Sequence, residues 1–295
     1  MTESDHWSRW LLERRDGGDE RQRTVTLDAL AEIRDRVLAG AEPLEGATVL
    51  DVGTGDGLIG LAALARVGTS GTVIFSDISD ALLDHVRETV RGRGALDRAR
   101  FERTDAADLA SIGHGTVDVV TSRSVLIYVT DKARALAAMH RVLRPGGRIS
   151  VFEPINRLTS PEPADRFWGF DASAVLPLAE RVKAAYRRLE HPGAASMMDF
   201  DDRDLVRFAE EAGFNRIHLE CHIDLDPGSL SRTVGIDALL GSSPNPLAPT
   251  VGETIAEALD PDEQERFIAH LAQAIERGDG VRRSAVAYLT ATKRT

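Results

Sequence analysis

The stretch from Ala47 to Gly60 limits what this chain can fold into, because it reads as a strand, a tight turn and a helix. A short apolar run ends at Asp51, and an apolar helical pattern begins at Leu58. Between them glycine recurs at every second position, at 53, 55 and 57. Glycine is needed where the backbone bends sharply and a ligand comes close, since a Cβ atom would block both. The stretch therefore predicts a strand–turn–helix unit that binds a ligand.

The same turn indicates the charge of its ligand. A helix that starts at a turn directs unpaired N–H groups and the positive end of its dipole at the ligand, which favours an anionic group. Asp51, at the end of the strand, is placed to meet a cationic group. A ligand with both a carboxylate and an ammonium fits these features better than a pyrophosphate does. Residues 55–60 taken alone also satisfy the dinucleotide fingerprint GxGxxG, so an NAD(P)-dependent oxidoreductase stays open as an alternative.

Further motifs follow the turn in a fixed order. They are "GTVIFSD", which ends at Asp77, "RTDAADL" around Asp105, "VDVVTSRSVLIYV" and "MHRVLRPGGRISVFEP". Together with "VLDVGTGDG", this set resembles the class I S-adenosylmethionine-dependent methyltransferases that act on small molecules. The resemblance covers about residues 44–154, with a weaker match at "DLVRFAEEAGF". It implies an α/β fold with a doubly wound, seven-stranded Rossmann-like sheet and helical insertions that form a lid.

The residues themselves support the core of this fold, because strands and helices alternate between Thr48 and Glu153. The predicted strands are Thr48–Asp51, Thr72–Asp77, Ala99–Arg103, Val117–Thr121 and Gly147–Glu153. The predicted helices lie near Gly57–Arg66, Ala81–Arg91 and Asp131–Leu143.

The whole chain divides into a core and its additions. In order, these are an N-terminal helical extension or flap (1–40), the S-adenosylmethionine-binding core (41–154), a lid insertion (155–200), a core helix and strand (201–226), a helical insertion (227–280) and the closing strand of the core (281–295). Trp7 and Trp10 are expected either in a packed extension or at the apolar edge of a flap over the cofactor. The aromatic residues Phe167, Trp168 and Phe170 either pack the lid against the core or form an apolar wall for an acceptor.

The C-terminal third begins with a clear alternating pattern. Its strand places one set of side chains on one face: Ile217, Leu219, Cys221, Ile223 and Leu225. His218 and His222 share the opposite face, but no third ligand is visible, so no metal site is predicted. Helices are then predicted near Leu230–Leu240, Thr250–Leu259 and Asp262–Glu276.

The resemblance assigns the methionine end of the cofactor to the glycine turn. Asp51 is expected to bind the ammonium directly or through water, and Ser122 lies next to the methionine end. The backbone that approaches the methionine part belongs to Gly53, Thr54, Gly55 and Gly57.

The nucleoside end is assigned to the next two strands. Asp77 ends the second strand about 20 residues after the glycine turn, the place for an acid that hydrogen-bonds both ribose hydroxyls. As an alternative, Asp77 caps the following helix, although Ser79 is also available for that. Ile78 is expected against the adenine face. The resemblance places Asp105 and Ala106 at the adenine amino group and its adjacent nitrogen.

The acceptor end is predicted from the chemistry of methyl transfer, an in-line displacement on an already activated donor. The protein mainly holds the acceptor and excludes water, and a base is needed only if the acceptor loses a proton. Glu153 is the first candidate for acceptor contact or base, and Arg123 is a candidate anchor for a substrate carboxylate. Tyr128 is a candidate pocket residue. The alternatives are a solvated strand end for Glu153 and helix packing for Tyr128.

These features predict a methyltransferase that converts S-adenosylmethionine to S-adenosylhomocysteine while methylating a small organic acceptor. Oxygen is the default acceptor atom, followed by nitrogen and carbon, and specialised metabolism is one expected setting. A non-catalytic S-adenosylmethionine-binding protein is the alternative from another class.

The composition limits which kinds of partner and which cellular location are expected. The net charge of −11 argues against a nucleic-acid substrate, and the absence of an 18-residue apolar run argues against a membrane span. The single cysteine, Cys221, and the lack of a secretion signal predict a cytoplasmic protein. A monomer and a homodimer both stay open.

Overall fold

The structure is a computed structural model that describes residues 5–16, 20–189, 191–228 and 235–295. Its centre is a seven-stranded sheet in the order β3-β2-β1-β4-β5-β9-β8, accompanied by a two-stranded hairpin, β6-β7. The strands are β1 (Thr48–Val52), β2 (Thr72–Asp77), β3 (Ala99–Arg103), β4 (Val117–Arg123), β5 (Leu143–Pro154), β6 (Arg166–Phe167), β7 (Phe170–Asp171), β8 (Asn215–Pro227) and β9 (Val281–Thr292). This architecture confirms the predicted α/β class and seven-stranded sheet.

The helices connect and flank these strands. They are α1 (His6–Arg9) with a π-helical turn (Trp10–Arg14), α2 (Glu20–Ala41), α3 (Leu58–Arg66), α4 (Asp80–Gly92), α5 (Lys132–Val142), α6 (Leu176–Leu189), α7 (Asp202–Glu211), α8 (Ile236–Gly241), α9 (Val251–Ala258) and α10 (Pro261–Arg277). Side-chain caps set several of their starts: Ser79 Oγ accepts from Leu82 N–H at α4, and the Asp201 carboxylate caps α7 in a capping box. Part of the predicted helix Leu230–Leu240 lies outside the described residues.

The parallel half of the sheet is built mainly from strands that are buried on both faces. β1 pairs with β2 and with β4, β2 with β3, and β4 with β5, all parallel. β1, β2 and β4 are almost entirely buried, as expected for strands covered by helices on both sides. The observed strand ends agree with the predicted ones within two residues, except that β5 begins earlier. Leu143 already pairs with Val117 before the Pro145–Gly147 turn, and the register shifts between Val117 and Val119.

The antiparallel half closes the sheet. β9 runs antiparallel to β5, from Arg148 opposite Thr292 to Pro154 opposite Val286. β8 lies outside β9 and runs antiparallel to it, because Asn215 at its start meets Thr292 at the end of β9.

The chain forms two compact units. The sheet unit comprises residues 30–155, 196–222 and 286–295, and the helical unit comprises residues 1–29, 156–195 and 223–285. The core of the sheet unit packs α2, α3 and α4 against the sheet through residues such as Leu38, Leu44, Val49, Phe75 and Val86.

The helical unit has its own apolar core. Phe167 and Phe170 of the hairpin are buried with residues of α6, α9 and α10, and Phe167 stacks edge-on with Phe267 at 5.2 Å between ring centres. These two aromatic residues therefore pack within the helical unit. Packing of the lid against the core and an apolar wall for an acceptor both stay predictions. Trp10 Nε1 donates to Ser243 O at 3.1 Å in the same unit. The lid and flap roles stay predictions.

Among the residues that the structure describes, no helix has both the length and the apolar character needed to cross a bilayer.

Candidate cofactor site and active site

One buried carboxylate, that of Asp51, holds the turn after β1. Its Oδ2 accepts hydrogen bonds from Thr54 Oγ1 at 2.7 Å and from the Gly60 N–H at 3.0 Å, and its Oδ1 accepts from Thr121 Oγ1 at 2.9 Å. Burial raises the pKa of Asp51 to about 6, because these bonds only partly offset the loss of water. The carboxylate ties the turn to α3 and β4. A carboxylate has about four lone-pair sites, so binding a ligand ammonium as well stays a prediction.

The predicted tight turn is confirmed by the backbone of its glycines. Gly53, Gly55 and Gly57 have φ values of +63°, +56° and +86°. A Cβ atom at Gly53 would collide with Val125, and one at Gly57 would lie 2.8 Å from Leu61 Cδ1. Both the left-handed conformation and the close neighbours therefore exclude larger residues.

Asp77 joins the second strand to the same turn. Its Oδ2 accepts from the Gly55 N–H and its Oδ1 from the Ser79 N–H, each at 3.0 Å. Because Ser79 is the residue that caps α4, the carboxylate of Asp77 is not the helix cap. The ribose-binding role of Asp77 stays a prediction.

The residues predicted for the adenine lie at the ends of β2 and β3. Ile78 follows Asp77 and keeps 44% of its surface exposed, an unusual fraction for an isoleucine next to a buried strand. Asp105 Oδ1 accepts from the Ala107 N–H at 2.8 Å and so forms a local turn, while Ala106 is buried. Asp105 thus has a structural contact, and its role toward adenine stays a prediction.

Ser122 provides the test of whether these residues fit S-adenosylmethionine. It is fully buried near the end of β4, and its Oγ has no hydrogen-bond partner among the described residues. Buried hydroxyl groups nearly always have a partner, so this one is available to a ligand. It lies on the strand next to β1, and Ile78 follows the strand on the other side of β1. A polar group, a glycine turn and an exposed apolar side chain at one edge of the sheet fit the methionine and adenine ends of the cofactor.

A second buried carboxylate, that of Glu153, lies at the end of β5. Its Oε1 accepts from the N–H groups of Val125 at 3.0 Å and Leu126 at 2.9 Å, and its Oε2 accepts from the Ile127 N–H at 3.0 Å. Burial raises the pKa of Glu153 to about 7. The expectation of a solvated strand end is wrong, because the side chain is fully buried and holds the turn after β4. Its role as a base stays a prediction.

Arg123 and Tyr128 flank this turn. The charge of Arg123 lowers the pKa of Asp51 and also acts on Tyr128, which places it within electrostatic range of both the glycine turn and the turn held by Glu153. Burial and the nearby Glu153 carboxylate raise the pKa of Tyr128, so its phenol is protonated at neutral pH. The structure thus groups Arg123, Tyr128 and Glu153 at one end of the sheet.

Lys132 was not predicted. It is buried at the start of α5, and its Nζ donates to the backbone oxygens of Val129 and Ser196, each at 2.9 Å, and pairs with the Asp199 carboxylate. Its charge also acts on Glu153. A lysine in the first turn of a helix is ordinarily exposed, and two of its partners lie more than sixty residues later. The sequence therefore carries no local signal for it.

The chain is similar in sequence to known methyltransferases. Residues 21–224 match the ubiE/COQ5 methyltransferase family. The chain belongs to this family. It is 33% identical over 178 residues to the ubiquinone/menaquinone biosynthesis C-methyltransferase UbiE of Idiomarina loihiensis, a match that covers 58% of this chain and 68% of that protein. The chain is therefore an S-adenosylmethionine-dependent methyltransferase, which decides against both the oxidoreductase and the non-catalytic alternative.

Solved structures show the same fold. The YcgJ protein of Bacillus subtilis aligns with a TM-score of 0.54 at 17% identity, over 91% of this chain and 99% of that one. A geranyl diphosphate methyltransferase in complex with S-adenosylmethionine aligns with a TM-score of 0.50 at 16% identity, over 89% of this chain and 85% of that one. The cofactor of this family member is S-adenosylmethionine, as predicted.

Within the described ranges, no group of three or more histidine, cysteine, aspartate or glutamate residues is arranged to hold a metal ion. His218 and His222 both contact Glu220 instead, at 3.2 and 3.5 Å.

Proposed function

We propose that this methyltransferase places the methyl group on a ring carbon of a quinone precursor. The observation that carries the proposal is the 33% identity to a relative named as a quinone-biosynthesis C-methyltransferase. The sequence alone favours oxygen as the acceptor atom and specialised metabolism as one setting. The name of this relative supports carbon and quinone synthesis instead.

Carbon methylation requires an electron-rich ring, so the acceptor is the hydroquinone form of the precursor. S-adenosylmethionine, when bound, would supply an electrophilic methyl group and leave as S-adenosylhomocysteine. The ring carbon of the acceptor would gain this methyl group and release its proton to water. Loss of a hydroxyl proton beforehand makes the ring carbon more nucleophilic. The enzyme therefore has to stabilise negative charge on the ring oxygen and to align the ring carbon.

Arg123 is the group that we assign to the ring oxygen. Its positive charge acts on both Asp51 and Tyr128, which supports a place between the cofactor turn and the acceptor turn. A cation there stabilises a phenolate and lowers the pKa of the acceptor hydroxyl. Tyr128, protonated at neutral pH, is assigned to the same pocket. We assign Glu153 a positioning role, because both of its oxygens already bond the backbone that leads to Tyr128.

The test is the position of a labelled methyl group. The protein is incubated with methyl-¹³C S-adenosylmethionine and a panel of acceptors: a hydroquinone with a free ring position, its mono-O-methyl ether, a phenol and a primary amine. The proposal predicts label on a ring carbon of the hydroquinone, identified by NMR of the product. Label found only on oxygen or nitrogen would refute it.

Arg123→Met supplies the matching variant. It is expected to lower turnover of the hydroquinone and to shift the rise of its pH–rate profile to higher pH, since the acceptor hydroxyl then ionises less readily. Arg91→Met removes an exposed arginine from the last turn of α4, where it pairs with Glu88, and serves as the control. An unchanged pH profile in the Arg123 variant would remove Arg123 from the assignment without affecting the label position.

A further inference from the structure

The edge strand β8 is long and has one apolar face. β8 is the last strand of the sheet and runs from Asn215 to Pro227. On its apolar face Ile223 and Leu225 keep 54% and 62% of their surface exposed, and Cys221 is exposed as well. The predicted alternation is present, but in the second half of the strand its apolar face is uncovered.

The opposite edge of the sheet is built differently. β3 has five residues, exposes Arg100 and Arg103, and Arg103 pairs with Asp80 of α4. Short, charged edge strands resist pairing with other chains. β8 also carries charged residues, but it is 13 residues long and part of its apolar face is exposed. The two edges therefore differ in length and in this exposed apolar face, which favours pairing at β8.

The direction of the backbone groups of β8 follows from its pairing with β9. Residues of an antiparallel strand direct their N–H and C=O groups alternately to one neighbour and to the other. Gly228 N–H bonds Gly280 O just before β9, so the even-numbered residues of the adjoining part of β8 face β9. Arg216 has a φ of +49° and interrupts the strand near its start, so this assignment holds from Ile217 onward. The odd-numbered residues, with Cys221 in the middle, face the free edge. Pro227 is odd-numbered, and its missing N–H costs no bond to β9.

The sequence of β8 is complementary to itself when read backwards from Cys221. In an antiparallel pair of two β8 strands centred on Cys221, each charged residue meets an opposite or hydrogen-bonding group and each apolar residue meets another. From the centre outward the opposed residues are Glu220 and His222, Leu219 and Ile223, His218 and Asp224, and Ile217 and Leu225. Such cross-strand pairs stabilise a sheet, and a two-fold axis provides each of them twice.

We propose that the free edge of β8 binds a second copy of this chain, so that two sheets join into one continuous sheet about a two-fold axis at Cys221. The polar pairs fall at the positions where opposed side chains are closest, and Ile223 and Leu225 lose their exposure to water. The two copies of Cys221 then lie about 5.5 Å apart between Cα atoms, a distance that a disulfide can span.

The first test uses the only cysteine of the chain as a reporter. The full-length protein is oxidised with copper phenanthroline and examined by non-reducing gel electrophoresis. The proposal predicts a covalent dimer, absent in Cys221→Ser. As a control for random collision, Leu96→Cys in the Cys221→Ser background places a cysteine at an exposed site beside β3. Equal cross-linking rates for the two cysteines would contradict the proposal.

The second test is a charge exchange measured by sedimentation equilibrium. His218→Asp places two carboxylates opposite each other across the two-fold axis, and Asp224→Lys replaces the carboxylate that faces His218 by a cation. Each variant should raise the dimer dissociation constant by about tenfold, because each pair occurs twice. The double variant restores opposite charges and should return within about threefold of the wild type. His218 also contacts Glu220 in its own chain, so the melting temperature of each variant is recorded. A wild-type protein that stays monomeric at 100 µM, or a double variant weaker than both single ones, overturns the proposal.

Discussion

Two turns at the same end of the sheet are each held by one buried carboxylate, but they are built over different distances in the chain. Asp51 bonds Thr54 and Gly60, within nine residues of itself, and only Thr121 is remote. Glu153 bonds three successive backbone N–H groups that lie 26 to 28 residues earlier. The first turn is therefore visible as a motif, while the second exists only after β4 and β5 have paired.

The difference matches the duties that we assign to the two turns. The glycine turn offers a backbone that is fixed by its own neighbours, which suits a cofactor shared by the whole family. The turn held by Glu153 leads to Tyr128 and follows Arg123, where the acceptor is expected. Because it depends on a long-range contact, it can change with the acceptor while the cofactor turn is kept.

The largest expected effect comes from removing the carboxylate of the second turn. Glu153→Leu should lower the free energy of unfolding by about 2–6 kcal/mol at pH 6, because two buried N–H groups lose their acceptor at about 1–3 kcal/mol each. The part-buried N–H of Val125 loses its acceptor as well. Urea denaturation measures the change in free energy. Glu265→Leu, at an exposed position of α10, is the control and should change stability little. A loss below about 1 kcal/mol in the Glu153 variant would mean that the turn is held by something else.

The free energy of unfolding should depend on pH differently in the wild type and in Glu153→Gln. The folded-state pKa of about 7 lies above the ordinary value of 4.5, so the carboxyl group contributes stability at low pH that is lost as the pH rises through 7. Relative to Glu153→Gln, the free energy of unfolding of the wild type should fall by about 3 kcal/mol between pH 4.5 and 7.5. This follows from about 1.4 kcal/mol for each unit by which the pKa is raised. The raised pKa of Asp51 is common to both proteins and cancels. A difference that does not vary with pH would contradict the burial argument.

The stability of the glycine turn after β1 should fall when a side chain is added at Gly60, the residue of α3 that bonds Asp51. A Cβ atom at Gly60 would lie 2.5 Å from Phe75 Cε1 and 2.9 Å from Asp51 Oδ2. Gly60→Ala is therefore expected to destabilise the protein by about 1–3 kcal/mol, as overpacking does. Gly92→Ala, at the end of α4 where a Cβ atom meets nothing within 4 Å, is the control. Equal melting temperatures for the two variants would show that the turn tolerates more volume than its geometry indicates.

Among these variants, Asp77→Ala should change the stability least. It should nevertheless weaken cofactor binding clearly. Asp77→Ala should weaken S-adenosylhomocysteine binding by about 1–3 kcal/mol in isothermal titration calorimetry, the cost of unpaired polar groups. Asp80→Ala, three residues further and exposed, should leave the affinity unchanged. The melting temperature without ligand is measured too, since Asp77 also bonds Gly55. Unchanged affinity in the Asp77 variant would remove it from the site.

The sequence allows prediction of what is local. The glycine turn, the parallel strands and the Ser79 cap of α4 each depend on residues a few positions apart, and their predicted places agree with the structure. The burial of Glu153 and Lys132 depends on partners from distant segments, and a single sequence does not pair such segments. Ile223 and Leu225 show a second limit of the sequence. The alternating pattern around them correctly predicts a strand, but it does not predict that both side chains are exposed.

The division of duties between the two turns is tested most directly by Glu153→Gln, with the cofactor dissociation constant and kcat measured on the same preparation at pH 7. The account predicts a dissociation constant for S-adenosylhomocysteine within about twofold of the wild type and a kcat at least about tenfold lower, since an interaction lost at the acceptor alone appears in turnover. Cofactor affinity that falls as far as kcat would contradict the account, because it would place Glu153 at the cofactor and not at the acceptor.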